Sequence, residues 1–200
     1  METSTEKIIR LFLIYPRKTW KQSELAKKVG CSKAFVSKLI KRLVSEGVIT
    51  RPNPQKIILI NNAKLLNKWY SLRKMPKPIY IKTEFSKRQI ENMLKKETDY
   101  CLTLFSAAWH RIKFMKTNRI EAYVNKRKTR KFIEKFGKIS KNPTNFIIFP
   151  SDNQLFEATE KVNGLHLVHF IQNYVDLVSL GGTGIRVAHE LDKKYDLRGI

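Results

Sequence analysis

The run Gln22-Ser23-Glu24-Leu25-Ala26-Lys27-Lys28-Val29-Gly30-Cys31-Ser32-Lys33-Ala34-Phe35-Val36-Ser37-Lys38-Leu39-Ile40-Lys41-Arg42-Leu43-Val44-Ser45-Glu46-Gly47 decides the fold. Leu25, Ala26 and Val29 share one face of a short helix that Gly30 stops. Ser32 suits the N-cap of a second helix, Lys33 to Glu46, in which Val36, Leu39, Ile40 and Leu43 recur at i, i+3, i+4, i+7, and Gly47 follows as a C-terminal stop. Two helices joined by so short a Gly turn read as a helix-turn-helix.

The flanks extend that reading. Upstream, a helix capped by Ser4 or Thr5 carries Ile8, Ile9, Leu11, Phe12 and Leu13 and stops at Pro16. Downstream, Val48-Ile49-Thr50 and Lys56-Ile57-Ile58-Leu59-Ile60 flank the polar tip Arg51-Pro52-Asn53-Pro54-Gln55, as in a hairpin. Helix, approach, helix, turn, longer helix and hairpin form a winged helix-turn-helix, whose second helix of the turn lies in the major groove.

Within that plan the apolar stripe faces the core and leaves Lys33, Ala34, Ser37, Lys38, Lys41 and Arg42 outside. Lys33, Ala34, Ser37 and Lys38 lie at the end that enters the groove, where hydroxyl, methyl and ammonium groups can read base edges. Lys41 and Arg42, a turn later, fit phosphates, and the cap Ser32 sits at the same end. Gln22 and Ser23 begin a helix, where backbone N–H groups favour a phosphate. On the wing, Arg51, Gln55 and Lys56 are the candidates for phosphate or the minor groove.

Charge points to the same partner, double-stranded DNA. The chain holds 40 Lys and Arg against 17 Asp and Glu, a formal net charge of +23. Residues 1–76 hold 17 basic and 4 acidic side chains, residues 77–141 hold 18 and 6, and residues 142–200 hold 5 and 7. The last stretch is therefore outside the basic surface. An unpaired cationic helix face is costly unless an anion meets it, and only Arg42, beside Glu46, has an acidic residue four positions away.

Beyond the hairpin, Ala63 to Lys74 reads as a helix with Leu65, Leu66, Trp69 and Leu72 on one side. Met75-Pro76-Lys77-Pro78 then forbids helix and marks a linker. The expected organisation is a DNA-binding domain at 1–61, a connecting helix and linker at 62–78, and a mixed α/β domain at 79–200, overall α+β. In the last, strands are predicted at 79–85, 119–125, 145–149 and 165–169, and helices at 87–96, 103–114, 127–136, 171–180 and 185–195. In the strand at 119–125, Ile120, Ala122 and Val124 alternate with Glu121, Tyr123 and Asn125. The basic run Lys126-Arg127-Lys128-Thr129-Arg130-Lys131 reads either as an added nucleic-acid contact or as a solvated helix start.

Leu65-Leu66-Asn67-Lys68-Trp69, Leu102-Thr103 with Ser106-Ala107-Ala108-Trp109, and Asn173-Tyr174-Val175-Asp176-Leu177 running into Leu180-Gly181-Gly182-Thr183-Gly184 carry a likeness to a known group. In order, over nearly the whole chain, they resemble the AbiEi family of antitoxin-like transcriptional regulators, found beside type IV abortive-infection toxin genes. The chain departs from that pattern at Thr183 and at Ile185-Arg186. The resemblance implies a winged helix-turn-helix that represses its own operon, and a C-terminal domain tied to antitoxin action. It also implies a nucleotidyltransferase-like toxin as partner. From the residues alone, the less basic C-terminal segment is free to bind such a protein or a second copy.

The other chemistries have thinner support. A nuclease, the alternative reading, needs clustered carboxylates for magnesium, and Asp152, Glu157, Glu160 and Lys161 are the candidates. Gly181-Gly182-Thr183-Gly184 lacks the Lys-Ser/Thr of a phosphate loop and reads as a helix-to-helix turn. Cys31 and Cys101 are expected as free core thiols, and Trp20, Trp69 and Trp109 as core anchors. His166 and His169 suit a hydrogen-bonded strand end better than a metal. No cofactor is called for. No stretch reaches the about 20 apolar residues of a membrane span, and the polar start shows no secretory signal, so a cytoplasmic, non-enzymatic regulator is expected.

Overall fold

Thr3, not Ser4 or Thr5, starts the first helix in the computed structural model, which describes residues 2–197. Thr3 and Glu6 form a reciprocal capping box on α1 (Ser4–Ile14). The chain continues through α2 (Gln22–Val29), α3 (Lys33–Ser45), β1 (Ile49–Asn53), β2 (Lys56–Leu59) and α4 (Asn62–Leu72). Contacts divide the chain into two units, residues 2–74 with 195–197 and residues 75–194, so α4 belongs with the helix-turn-helix and packs on α1.

The core of this first unit is aliphatic and aromatic: Ile8, Phe12, Trp20, Leu25, Val36, Ile40, Leu43, Leu65 and Trp69 are all fully buried. Leu72, expected on the buried side of α4, is 43% exposed. It is the last helical residue, and the sequence turns extended at Arg73. Four charged side chains are also inside. Arg10 Nη1 donates to Glu2 Oε2 at 2.6 Å, and Arg73 Nη1 lies 3.5 Å from Glu6 Oε1. The first pair holds the chain start on α1, and the second ties α1 to the C-cap of α4.

The second unit holds β3 (Ile79–Lys82), α5 (Lys87–Leu94), β4 (Tyr100–Leu102), α6 (Leu104–Ile112), β5 (Ile120–Asn125), α7 (Thr129–Phe136), β6 (Lys138–Ser140) and β7 (Phe146–Ser151). It ends with α8 (Asn153–Phe156), β8 (Glu160–Val162), β9 (Leu165–Leu167), α9 (Phe170–Leu180) and α10 (Thr183–Tyr195). Its seven strands form one mixed sheet, in the order β6-β3-β7-β5-β4-β9-β8. β5 runs parallel to β7, and β4 parallel to β9; the other pairs are antiparallel. One core joins Ile120, Ala122 and Val124 to Ile90 and Leu94 of α5 and to Phe132 and Phe136 of α7.

The alternate face of β5 is buried as well. Glu121 is 2% exposed and Tyr123 0%, because β5 is central in the sheet and helices cover its second side as well. There Glu121 Oε2 accepts the Ser106 N–H at 3.1 Å at the start of α6. Tyr123 Oη donates to Asp176 Oδ2 at 2.8 Å, and Thr103 Oγ1 donates to the same oxygen at 2.8 Å. Gln172 Nε2 donates to Asp176 Oδ1 at 2.9 Å, and Asn173 Nδ2 to the Leu104 carbonyl at 3.0 Å. These bonds fasten α9 to α6 and β5. The glycine run is a helix-to-helix turn: a Cβ on Gly184 would lie 2.3 Å from the Leu177 carbonyl oxygen, so α10 can start there only without a side chain.

Burial pushes the Glu121 carboxyl up from 4.5 to about 7, against the pull of the Ser106 N–H. A raised carboxyl favours the protonated folded state, so the cost of ionising it is absent below the unfolded value and complete above the folded one. Glu121→Gln keeps the acceptor and removes that cost. It is expected to leave melting unchanged at about pH 4 and to stabilise by up to about 3 kcal/mol at about pH 8, in a thermal-melting series. Arg73→Ala removes the ion pair of buried Glu6, whose other oxygen stays bonded to Thr3, and should cost about 1–3 kcal/mol in denaturant unfolding.

Candidate nucleic-acid interface

Gly30 makes the turn: its φ of 73° closes α2, and the Cys31 N–H reaches back to the Ala26 carbonyl at 3.1 Å. Ser32 then caps α3, its Oγ accepting the Phe35 N–H at 3.1 Å. The capping oxygen is thus engaged within the protein. Val36, Leu39, Ile40 and Leu43 are buried, as their spacing predicts. Lys33, Ala34, Lys38, Lys41 and Arg42 are exposed, and Ser37 is half-buried.

The outer cations differ in their surroundings. Lys33, Lys38 and Lys41 form no ion pair among the described residues. Arg42 Nε lies 3.0 Å from Glu46 Oε1, and Lys68 Nζ is 2.9 Å from the same carboxylate. The hydrogen bond from Lys68, helped by Arg42, holds Glu46 below the usual carboxylate range. The free charge is therefore concentrated on the three lysines, with Arg42 turned to its own neighbour.

At the start of α2, Lys21 gives no side-chain cap; Gln22 is half-buried and Ser23 exposed. The wing is tied to this point. Trp20 and Ile57 exchange backbone N–H···O bonds of 2.9 Å in both directions, adding a third, one-residue strand to β1 and β2. At the wing tip Asn53 Oδ1 accepts the Gln55 N–H at 3.0 Å, and Arg51 Nη2 donates to the Pro54 carbonyl at 2.8 Å. Gln55 and Lys56 are exposed; Arg51 is half-buried. A concavity of about 610 Å³ between helix start and wing is lined by Thr19, Lys21, Glu24, Asn53, Gln55 and Lys56, with Pro54.

Two groups on this surface escape a reading by periodicity. Phe35 is 38% exposed beside Ala34, one position ahead of the buried stripe, and so adds an aromatic edge to the outer face. Lys21 joins the wing concavity; its signal in the sequence is its place just before the first helical residue. Elsewhere, Glu160 of the nuclease reading accepts from Arg111 Nη2 at 3.0 Å and from the Phe170 N–H at 3.1 Å. Among the described residues no group of three or more His, Cys, Asp and Glu side chains could hold a metal ion. Cys31 is half-buried in the turn and not in the core, while Cys101 is buried; neither is in a disulfide. His169 caps α9, and burial lowers its pKa to about 4. No helix among the described residues is long and apolar enough to cross a membrane.

Residues 8–55 match the model of the MarR family. The match spans α1 through the wing tip and supports a winged helix-turn-helix transcription regulator that binds DNA, followed here by a mixed α/β unit. No curated protein and no solved structure matches the chain. Because the Ser32 cap fixes where α3 begins, Ser32→Ala should lower stability by about 1 kcal/mol in thermal unfolding.

Proposed function

We propose that the chain is a sequence-specific regulator that inserts the N-terminal half of α3 into the major groove of duplex DNA. The observation that carries this reading is the pairing of a buried aliphatic stripe with exposed Lys33, Lys38 and Lys41, none of which has a carboxylate partner. Cations held without counter-charge on a rigid helix supply salt-dependent affinity by releasing counterions from phosphates. Discrimination comes from Ser37, Ala34 and the leading lysines, which sit where base edges are met.

The remaining contacts have positioning roles. Gln22 and Ser23, with the uncapped N–H groups of α2, receive one phosphate, and Lys56 and Gln55 receive another across the wing concavity. Arg51 joins them by exchanging its carbonyl partner for a phosphate oxygen. Lys41 adds backbone charge a turn beyond the reading residues, and Arg42 does so only by sharing its charge with Glu46.

The likeness of the α6 and α9 segments to AbiEi antitoxin-like regulators supports a finer reading: repression of the chain's own operon, with the second unit engaging a nucleotidyltransferase-like toxin or another copy. In a dimer, half-sites would lie about 10 bp apart or at a multiple of that spacing.

Footprinting on the chain's own promoter, with anisotropy titrations over a panel of duplexes, tests the reading. Ser37→Ala or Lys38→Ala should cost about 1–3 kcal/mol and relax preference at one base pair, whereas Lys56→Ala should weaken every duplex alike. Equal affinity of the wild type for all duplexes sinks the sequence-specific reading. Co-expression with the adjacent gene, with Lys38 intact or mutated, separates repression from neutralisation of a toxin.

A further inference from the structure

The second unit carries a concavity that the DNA-binding reading does not use. About 410 Å³ of space opens where β3 ends and β5 and β7 begin, beside α5. Its floor is apolar: Ile90, Ile120 and Phe146 are each at most 4% exposed. Phe85, 41% exposed, stands at the rim. Three polar side chains lining the space, Lys82, Asn118 and Asn145, are exposed and engage no other described side chain or backbone group. The nearby Lys87 is not free, since its Nζ donates to the Thr117 carbonyl at 2.6 Å.

A second feature borders the cavity at Lys82, the one of the two paired lysines that lines it. β3 and β6 pair antiparallel, with Lys82 directly opposite Lys138. Two ammonium groups facing each other across a strand pair repel, and cross-strand neighbours of like charge destabilise a sheet. Neither lysine has a carboxylate partner. An anion beside Lys82 relieves that repulsion.

We propose that this cavity binds a nucleoside monophosphate unit, with the base on the apolar floor against Phe85 and the phosphate at Lys82. The side-chain amides of Asn118 and Asn145 offer both donors and acceptors, which suits the edge of a base. An aromatic ring at the rim gives a stacking face that any base can use. The volume falls within the range of small-ligand sites. The same chemistry occurs in a free nucleotide and in one residue of a single strand, so the experiment separates the two sources.

Full-length protein is titrated with AMP, GMP, CMP and TMP by calorimetry, with inorganic phosphate alone, and with a fluorescein-labelled single-stranded oligothymidylate by anisotropy. Binding by mononucleotides identifies a free nucleotide as the ligand, and binding by the oligonucleotide alone identifies a strand. In either case Phe85→Ala and Lys82→Ala should weaken it roughly tenfold or more, Asn145→Asp should change the ranking of bases, and Arg186→Ala, an exposed cation elsewhere on the unit, should change nothing. Circular dichroism and melting curves of each variant separate lost binding from lost fold. The proposal is overturned if no nucleotide or oligonucleotide binds at millimolar concentration, if inorganic phosphate binds as well as a nucleotide, or if folded Lys82→Ala and Phe85→Ala bind like the wild type. Duplex recognition by α3 can survive any of these results, and a failure of duplex recognition leaves this site untouched.

Discussion

Four aliphatic side chains on α3 fix what the first unit can present. Val36, Leu39, Ile40 and Leu43 have to be buried, and once they are, the helix can rotate no further. The residues between them are then committed to the opposite side whatever their chemistry. Here that chemistry is three lysines, a serine and an alanine. The burial of four such side chains stabilises by several kcal/mol, at about 1.5–3 kcal/mol each. Repulsion among exposed cations in water is smaller, so packing wins and the charged surface follows from it.

The second unit is organised by the opposite means. Asp176 is completely buried and collects hydrogen bonds from Thr103, Tyr123 and Gln172, while Asn173 holds the Leu104 carbonyl. A buried carboxylate is tolerable when its oxygens are satisfied and expensive when they are not. Such a network fixes how α6 and α9 meet. Thr103, Asn173 and Asp176, singled out in the sequence within the segments at 102–109 and 173–177, are members of this network.

The first unit was largely legible because its signals are local. Ser32 before an i, i+3, i+4, i+7 stripe and glycines at 30 and 47 define α3 to within one residue of its observed end. The hairpin follows from two apolar runs around Pro52 and Pro54. What escaped depends on distant partners. β4, β6 and β8 are three residues each, too short to show a period, and exist because neighbouring strands supply their bonds. Tyr123 and Glu121 alternate with Ala122 as an exposed face would, yet a second layer of helices buries them. At the candidate interface, the exposure of Lys38 and Lys41 could be read from periodicity. The bond from Arg51 to the Pro54 carbonyl could not, since it depends on the bend of the wing itself.

The reciprocal backbone bonds between Trp20 and Ile57 have a mechanical consequence. Residues far apart in the chain are clamped at one point, two positions before α2 begins and one position after Lys56. The gap between the opening of α2 and the rising arm of the wing is therefore a fixed caliper and not a hinge. A polymer gripped at both jaws must already have the matching groove dimensions or be deformed until it does. Selectivity can thus arise from the width and stiffness of the substrate, at positions no side chain touches.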